Sequence, residues 1–207
     1  MNALDLDSSK PKLVVENGVD FDFFNRDCNS GQRAGLVYIG AVDFRFDIEF
    51  IIALAESLPS ERIDIYGPVS IDIQACKNLS NLRFLGKLNY EKVPDTLSKY
   101  KFGLLPLNDH PANIGRSPMK LYEYQAAGLL CLVPRFRKYE SLESETFFVY
   151  RDVNDAVSLF KANYQRKTES YLAMCLKRAE KEAWGAKANN LLSFVNSLGV
   201  HDSERKV

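Results

Sequence analysis

The chain is short of several residues on which common chemistries depend. It has two histidines, one tryptophan and three methionines, and its 27 basic and 27 acidic side chains cancel. Balanced charge gives no whole-molecule field for nucleic acid, so any anion must be held by a local group of cations. The four cysteines, Cys28, Cys76, Cys131 and Cys175, are widely spread and lack the paired spacing of a zinc site or a disulfide framework. Reduced thiols in a cytoplasmic protein are therefore expected. No apolar run approaches the ~20 residues of a membrane helix, and the opening MNALDLDSSK lacks the apolar core of a signal peptide. The chain reads as soluble, with membrane contact limited to the periphery of the inner face. Its length suits one well-buried core.

What is present is an alternation of apolar runs and amphipathic stretches. Residues 1–35, rich in Asp, Asn, Ser and Gly around a short apolar piece at 13–15, read as a linker-like segment. From Leu36 the pattern changes. Strands are expected at 36–40 (LVYIG), 62–66 (RIDIY), 82–85, 102–107, 129–133 and 147–150, with helices at 47–58, 93–100 and 117–128 between them. Helices near 154–161, 170–181 and 186–198 follow, with Tyr171, Leu172, Leu176 and Trp184 expected to pack inward. This order predicts an α/β fold, a Rossmann-like doubly wound parallel sheet over residues 36–165 with trailing helices and a polar tail over 166–207. Ligands of such a sheet bind outside the carboxyl ends of the strands, which singles out the loops 40–46, 67–70, 86–90, 108–117 and 134–139.

The most informative of these stretches is 117–128, SPMKLYEYQAAG. Ser117 can cap the free amides of a helix, Pro118 suits its first turn because its missing N–H has no partner there, and Gly128 can end it. Lys120 and Glu123 share one face near the N-terminus, where amide dipoles favour an anion and a lysine reinforces them. By itself such a pair is an ordinary solvated helix pair; placed at the mouth of a parallel sheet it points to a phosphate ligand.

The order of signals is more specific than any one of them. NGVDFDFF at 17–24, YIGAVDFRFD at 38–47, IYGP at 65–68, NLRFLG at 81–86 and SPMKLYEYQAAG together resemble the C-terminal, donor-binding half of GT-B glycosyltransferases, of the bacterial polysaccharide and glycolipid type near the GT4 group. The likeness spans about residues 13–133. It implies transfer of a sugar from a nucleoside diphosphate, UDP favoured, to a glycan or lipid-linked acceptor, with no cofactor and no metal. By the same resemblance Glu123 would accept from the ribose hydroxyls and Lys120 would lie near the diphosphate. Asn113 to Gly115, Arg116 and Ser117 would border the phosphates, Lys87 and Leu88 the base, and Gly40 would let backbone approach the diphosphate or sugar. The chemistry agrees, since a carboxylate can accept from both vicinal hydroxyls while an ammonium stabilises charge on a departing diphosphate.

The chain also departs from the family pattern. Gly115 stands where a second glutamate is usual, and the usual arginine and lysine after the first strand are missing, with Ala41 and Asp47 nearby. Arg116 or Arg45 could replace the lost positive charge. Asp20-x-Asp22 has the spacing of a divalent-metal pair in the other large glycosyltransferase fold, but it lies before the sheet and reads as accidental. His110 reads as a polar surface residue, and Arg135, Arg137 and Lys138, like the lysines and arginine at 167, 177, 178, 181 and 187, as solvated charges. An N-terminal acceptor domain is expected as partner, which makes this chain a fragment, a split subunit or a degenerate protein that does not transfer sugar alone. The alternatives are a noncatalytic nucleotide-sugar-binding module and part of a nucleotide-sugar epimerase. A signalling receiver ranks below these because Asp43, Asp47 and Asp64 form no obvious phosphorylation cluster.

Overall fold

The computed structural model describes residues 10–26, 32–113, 117 and 119–198. Of the residues singled out above, Cys28, Gly115, Arg116 and Pro118 lie outside the described residues, as do the side chains of Arg137 and Lys138.

Six strands, β1 (Leu36–Ile39), β2 (Ile63–Tyr66), β3 (Leu82–Phe84), β4 (Phe102–Leu104), β5 (Leu130–Pro134) and β6 (Phe147–Tyr150), form one sheet in the order β3-β2-β1-β4-β5-β6. Every pairing is parallel, so the doubly wound sheet read from the sequence is present. The helices are α1 (Phe21–Asn25), α2 (Ile48–Ser57), α3 (Val93–Leu97), α4 (Met119–Ala126), α5 (Arg137–Glu140), α6 (Val153–Tyr164), α7 (Thr168–Lys181) and α8 (Trp184–Ser197). Strand side chains alternate between two buried layers. Leu130, Leu132, Phe148 and Tyr150 join α2 and α6 on one face, while Cys131, Val133, Phe147 and Val149 join α4 on the other. Burial on both faces is what makes these runs nearly continuous in apolar residues.

Local chemistry sets the element ends. Asp47 and Asp152 cap α2 and α6, accepting from Phe50 N and Asp155 N at 2.9 Å each. Gly128, at φ +75°, ends α4, with Gly128 N bonding Gln125 O at 3.0 Å and Leu129 N bonding Tyr124 O at 2.8 Å. Just beyond, the buried Arg33 guanidinium donates to Ala127 O at 2.8 Å. Buried Lys101 likewise donates to Tyr164 O and Arg166 O at the end of α6. Both cations thus sit at helix C-termini, where the backbone dipole favours them.

Asp64, in the middle of β2, is fully buried. Arg83 meets it with two bonds of 2.7 Å, Arg62 at 3.3 Å, and the Tyr100 hydroxyl donates to it as well. Burial, followed by this bond, pushes the Tyr100 phenol far above its ordinary range.

Four expectations are corrected in detail. The strand expected at 102–107 stops at Leu104 because Pro106 has no N–H to give a ladder, and Leu107 instead bridges Phe46 antiparallel. Within the segment read as linker-like, Asp20 caps α1 by accepting from Phe23 N at 3.2 Å, and Val19 and Phe24 are core residues. The loop expected at 134–139 gives way at Arg137 to the single turn of α5, which runs to Glu140. Trp184 does not pack inward; it is 48 % exposed at the start of α8, whereas Tyr171 is buried as expected.

Candidate functional site

The sheet order reverses between β1 and β4, the switch point at which ligands of open α/β sheets bind. These two strands pair only at Leu36 with Phe102 and Val37 with Gly103, although β1 runs on to Ile39. Above that point they part, and α4 fills the fork. The Tyr124 ring lies on Gly103, where a Cβ would come within 2.3 Å of it, and its hydroxyl accepts from Ile39 N at 3.1 Å. The amide left over by the parted strands is thereby satisfied, and α4 is fixed to the sheet.

One turn before Tyr124, on the same helix face, comes Lys120. Its side chain crosses Gly40: a Cβ there would stand 2.3 Å from Lys120 Cε and 2.9 Å from Nζ. The ammonium is 5.8 Å from the centre of the Tyr38 ring, whose hydroxyl donates to Ala41 O at 3.0 Å. The missing side chain of Gly40 therefore makes room for Lys120. Together Tyr38, Ala41, Asp43, Arg45, Phe46, Leu105, Leu107 and Lys120 line a cleft of about 190 Å³. Arg45 is bonded to Asp43 through Nε at 2.9 Å and through its second nitrogen, so the cation proposed as a substitute already has an anion.

Glu123, one residue before Tyr124, is half-buried. Burial pushes its carboxyl above the ordinary glutamate value, and Lys120 opposes that shift. Among the described residues no protein donor hydrogen-bonds this carboxylate. Its field reaches Tyr90, whose phenol is raised first by burial and then by Glu123 and Asp20. Tyr90 is exposed and stacks flat on Phe23, with ring centres 5.0 Å apart. Leu88 is half-buried in the loop that carries Tyr90, and Lys87 is exposed.

The remaining candidates are held by the protein itself. Asn113 is buried, its amide donating to Arg45 O at 3.1 Å and Asn108 O at 2.9 Å, so its side chain braces the loop from inside. Ser117 Oγ accepts from Asn17 N at 3.2 Å and lies 3.3 Å from the Tyr122 hydroxyl. His110 is exposed, with Nδ1 accepting from Ala112 N at 3.0 Å and its ring edge-on to Phe44. Arg135 pairs with Glu140 at 2.7 Å. Among the described residues no group of three His, Cys, Asp or Glu side chains is placed to hold a metal, and no helix is long and apolar enough to cross a membrane.

The structure thus brings Lys120 and Gly40 together, and sets Glu123 within electrostatic reach of Tyr90. Tyr38, Tyr90 and Asp43 escape a sequence reading. Aromatics in ligand-end loops are the one available signal, and it is weak because aromatics are common in cores.

The glycosyl transferase-like family model matches residues 45–190. A curated relative from Bacillus subtilis (strain 168), named provisionally as the teichuronic acid biosynthesis glycosyltransferase TuaH, is 21 % identical over 197 residues. The match takes in 87 % of this chain and 50 % of that relative, so the chain spans about half the length of the curated relative it matches. Among solved structures, AviGT4, a glycosyltransferase of avilamycin A biosynthesis, superposes with a TM-score of 0.63 at 14 % identity, over 91 % of this chain and 59 % of that one. The C-terminal domain of LpcC, a group 1 glycosyl transferase from Francisella tularensis, gives 0.53 at 11 % identity, over 80 % of this chain and 93 % of that domain. T4 phage BGT in complex with UDP and Mn2+ also gives 0.53, at 13 % identity, over 81 % of this chain and 51 % of that one. The family match takes in β4 and α4 alike, and the chain belongs to the glycosyl transferase-like family with the fold of a GT-B carboxy-terminal domain.

Proposed function

We propose that the chain binds a nucleoside diphosphate sugar and presents it for transfer to a glycan or lipid-linked acceptor. The observation that carries this reading is Glu123: a half-buried carboxylate with a raised pKa, met by no described protein donor, one turn from Lys120 at the switch point. Ribose hydroxyls are the donors such a group lacks, and they favour its charged form. Lys120 and the N-terminus of α4 face the diphosphate and stabilise its departure. Arg116 adds to that charge, the exposed Tyr90 and half-buried Leu88 border the base with Lys87, and no cofactor or metal takes part. UDP is the favoured nucleotide, in keeping with the UDP complex of the T4 phage enzyme.

The acceptor and the acid–base groups belong to a partner, an acceptor-binding domain on the same polypeptide or on a separate subunit. Trp184, Leu191, Leu192, Val195 and Leu198 are exposed on or beside α8 and form the apolar surface for it. This assignment places the partner, rather than a membrane surface, against α8.

Titration of the folded protein with UDP, GDP and ADP tests the reading. We expect UDP to bind most tightly and no sugar to be transferred by this chain alone; silence toward all three nucleotides would sink the donor role. A second reading, a noncatalytic nucleotide-sugar-binding module, draws on Gly115 and Ala41 standing where the family usually has charged donor contacts. Mixing with a separate acceptor domain separates the two, since restored transfer excludes the noncatalytic module.

A further inference from the structure

We propose that Asn17 is a positioning residue for the nucleotide site, holding the entry of α4 in place through Ser117 and tying it to the junction of α7 and α8. The proposal rests on the donor-binding reading above. Residues 16–20 form a strap with two sets of attachments. On one side Asn17 reads both acceptors of Ser117: its backbone N donates to Oγ at 3.2 Å and its side-chain amide to the carbonyl at 2.6 Å. Next to it, Glu16 accepts from the Tyr122 hydroxyl at 2.9 Å, and that hydroxyl is 3.3 Å from Ser117 Oγ. The strap therefore grips α4 at its entry and again on its first turn.

On the other side the strap runs parallel to the α7–α8 junction. Val19 N donates to Glu182 O at 3.0 Å, and Trp184 N donates to Val19 O at 3.1 Å. Gly18 lies so close that a Cβ would stand 2.9 Å from both Glu182 O and the Trp184 indole. Asp20 then caps α1, which packs against both α4 and α7.

The geometry makes Asn17 more than general adhesive. Ser117 lies three residues before Lys120, at the helix end assigned to the diphosphate. A carboxamide supplies the donor that Ser117 O needs, whereas a carboxylate of the same shape would set charge against a carbonyl. The strap also passes under Trp184, so displacement of that exposed junction by a partner would reach the phosphate end of α4 through Asn17.

The test compares Asn17→Asp and Asn17→Ala with the parent chain, using UDP and uridine as probes and hydrogen exchange as an independent readout. We expect exchange to quicken at the amides of residues 123–125, the first bonded within α4. UDP affinity should fall about five- to tenfold, the size of one or two lost net hydrogen bonds. Uridine affinity should stay within about twofold, because its contacts lie beyond the first turn. Tyr122→Phe, which keeps the ring and removes the Glu16 bond, should act in the same direction and serves if the Asn17 variants fail to fold. Unchanged exchange, or equal losses of UDP and uridine, would overturn the positioning role. If the parent binds neither probe, the donor reading fails instead, and the exchange arm alone decides the clamp.

Discussion

Asp64 and Glu123 are both carboxylates withdrawn from water, and their surroundings could hardly differ more. Asp64 is fully buried in β2 and receives two bonds from Arg83, one contact from Arg62 and the hydroxyl of Tyr100. Glu123 is half-buried on α4, its carboxyl raised by burial, with Lys120 as a neighbouring charge and no described donor to hydrogen-bond it. A buried carboxylate whose acceptor sites are filled from within serves the fold. On the donor-binding reading, one that bears a desolvation cost with its acceptor sites open is left for a ligand to fill. Charge alone would not separate these two residues; the count of donors does.

The largest effect should come from breaking the filled site. Asp64→Ala leaves the buried Tyr100 hydroxyl and two half-exposed arginines without their acceptor, and should cost about 2–4 kcal/mol of folding stability in urea denaturation. Nucleotide affinity of the protein that remains folded should hardly change. A loss of UDP binding without a loss of stability would reverse the roles assigned to the two carboxylates.

Glu123→Ala should do the opposite. Hydrogen bonds to a charged group contribute about 1.5–3 kcal/mol, so calorimetry should show UDP bound roughly 10- to 100-fold more weakly. Inorganic diphosphate should be unaffected, and the melting temperature should hold or rise. Equal losses for UDP and diphosphate would remove Glu123 from the ribose. The raised carboxyl adds a pH signature, best read with uridine because it carries no phosphate. Ribose binding needs the ionised form, so uridine affinity should be full at neutral pH. It should fall as acidification passes through the raised pKa, with a midpoint above the ordinary 4.5. Glu123→Gln should bind weakly with no such midpoint.

The smallest effect expected is that of Lys120→Met. Losing one half-exposed ammonium should weaken UDP about three- to tenfold while leaving uridine unchanged. Because the interaction is one of charges near solvent, the difference between variant and parent should shrink as salt is added. A difference that persists in high salt would point to packing of the lysine stem against Gly40 and Tyr38 as its main role.

How much of this was legible in the sequence follows from the range of each interaction. The strands show as apolar runs because both faces of a parallel sheet are buried, and α4 shows because its spacing and terminal glycine are local. Five residues are too few for α1 to display a helical period, so its aromatics read as linker. Trp184 reads as core by its chemistry, yet α8 begins at the edge of the packed helices and leaves it exposed. In the candidate site, Lys120 and Glu123 are legible through the order of motifs around them, since their spacing alone is that of an ordinary solvated helix pair. Tyr90 and Tyr38 are not, because they gain meaning only when distant loops converge. The bond between Asn17 and Ser117 spans 100 positions, and no local pattern in either segment announces the other.

Arg33 gives α4 an electrical asymmetry that its sequence does not contain. A helix behaves as a pair of opposite half-charges, and a ligand at one pole ordinarily feels the other as partial cancellation. Here the buried guanidinium bonded to Ala127 O sits at the negative pole, so that pole is already answered when a phosphate approaches the far end. α4 then acts as a source of positive potential with one working end. On the donor-binding reading, part of the positive potential for a phosphate is thus supplied from the opposite end of α4 by a residue that would not touch the ligand.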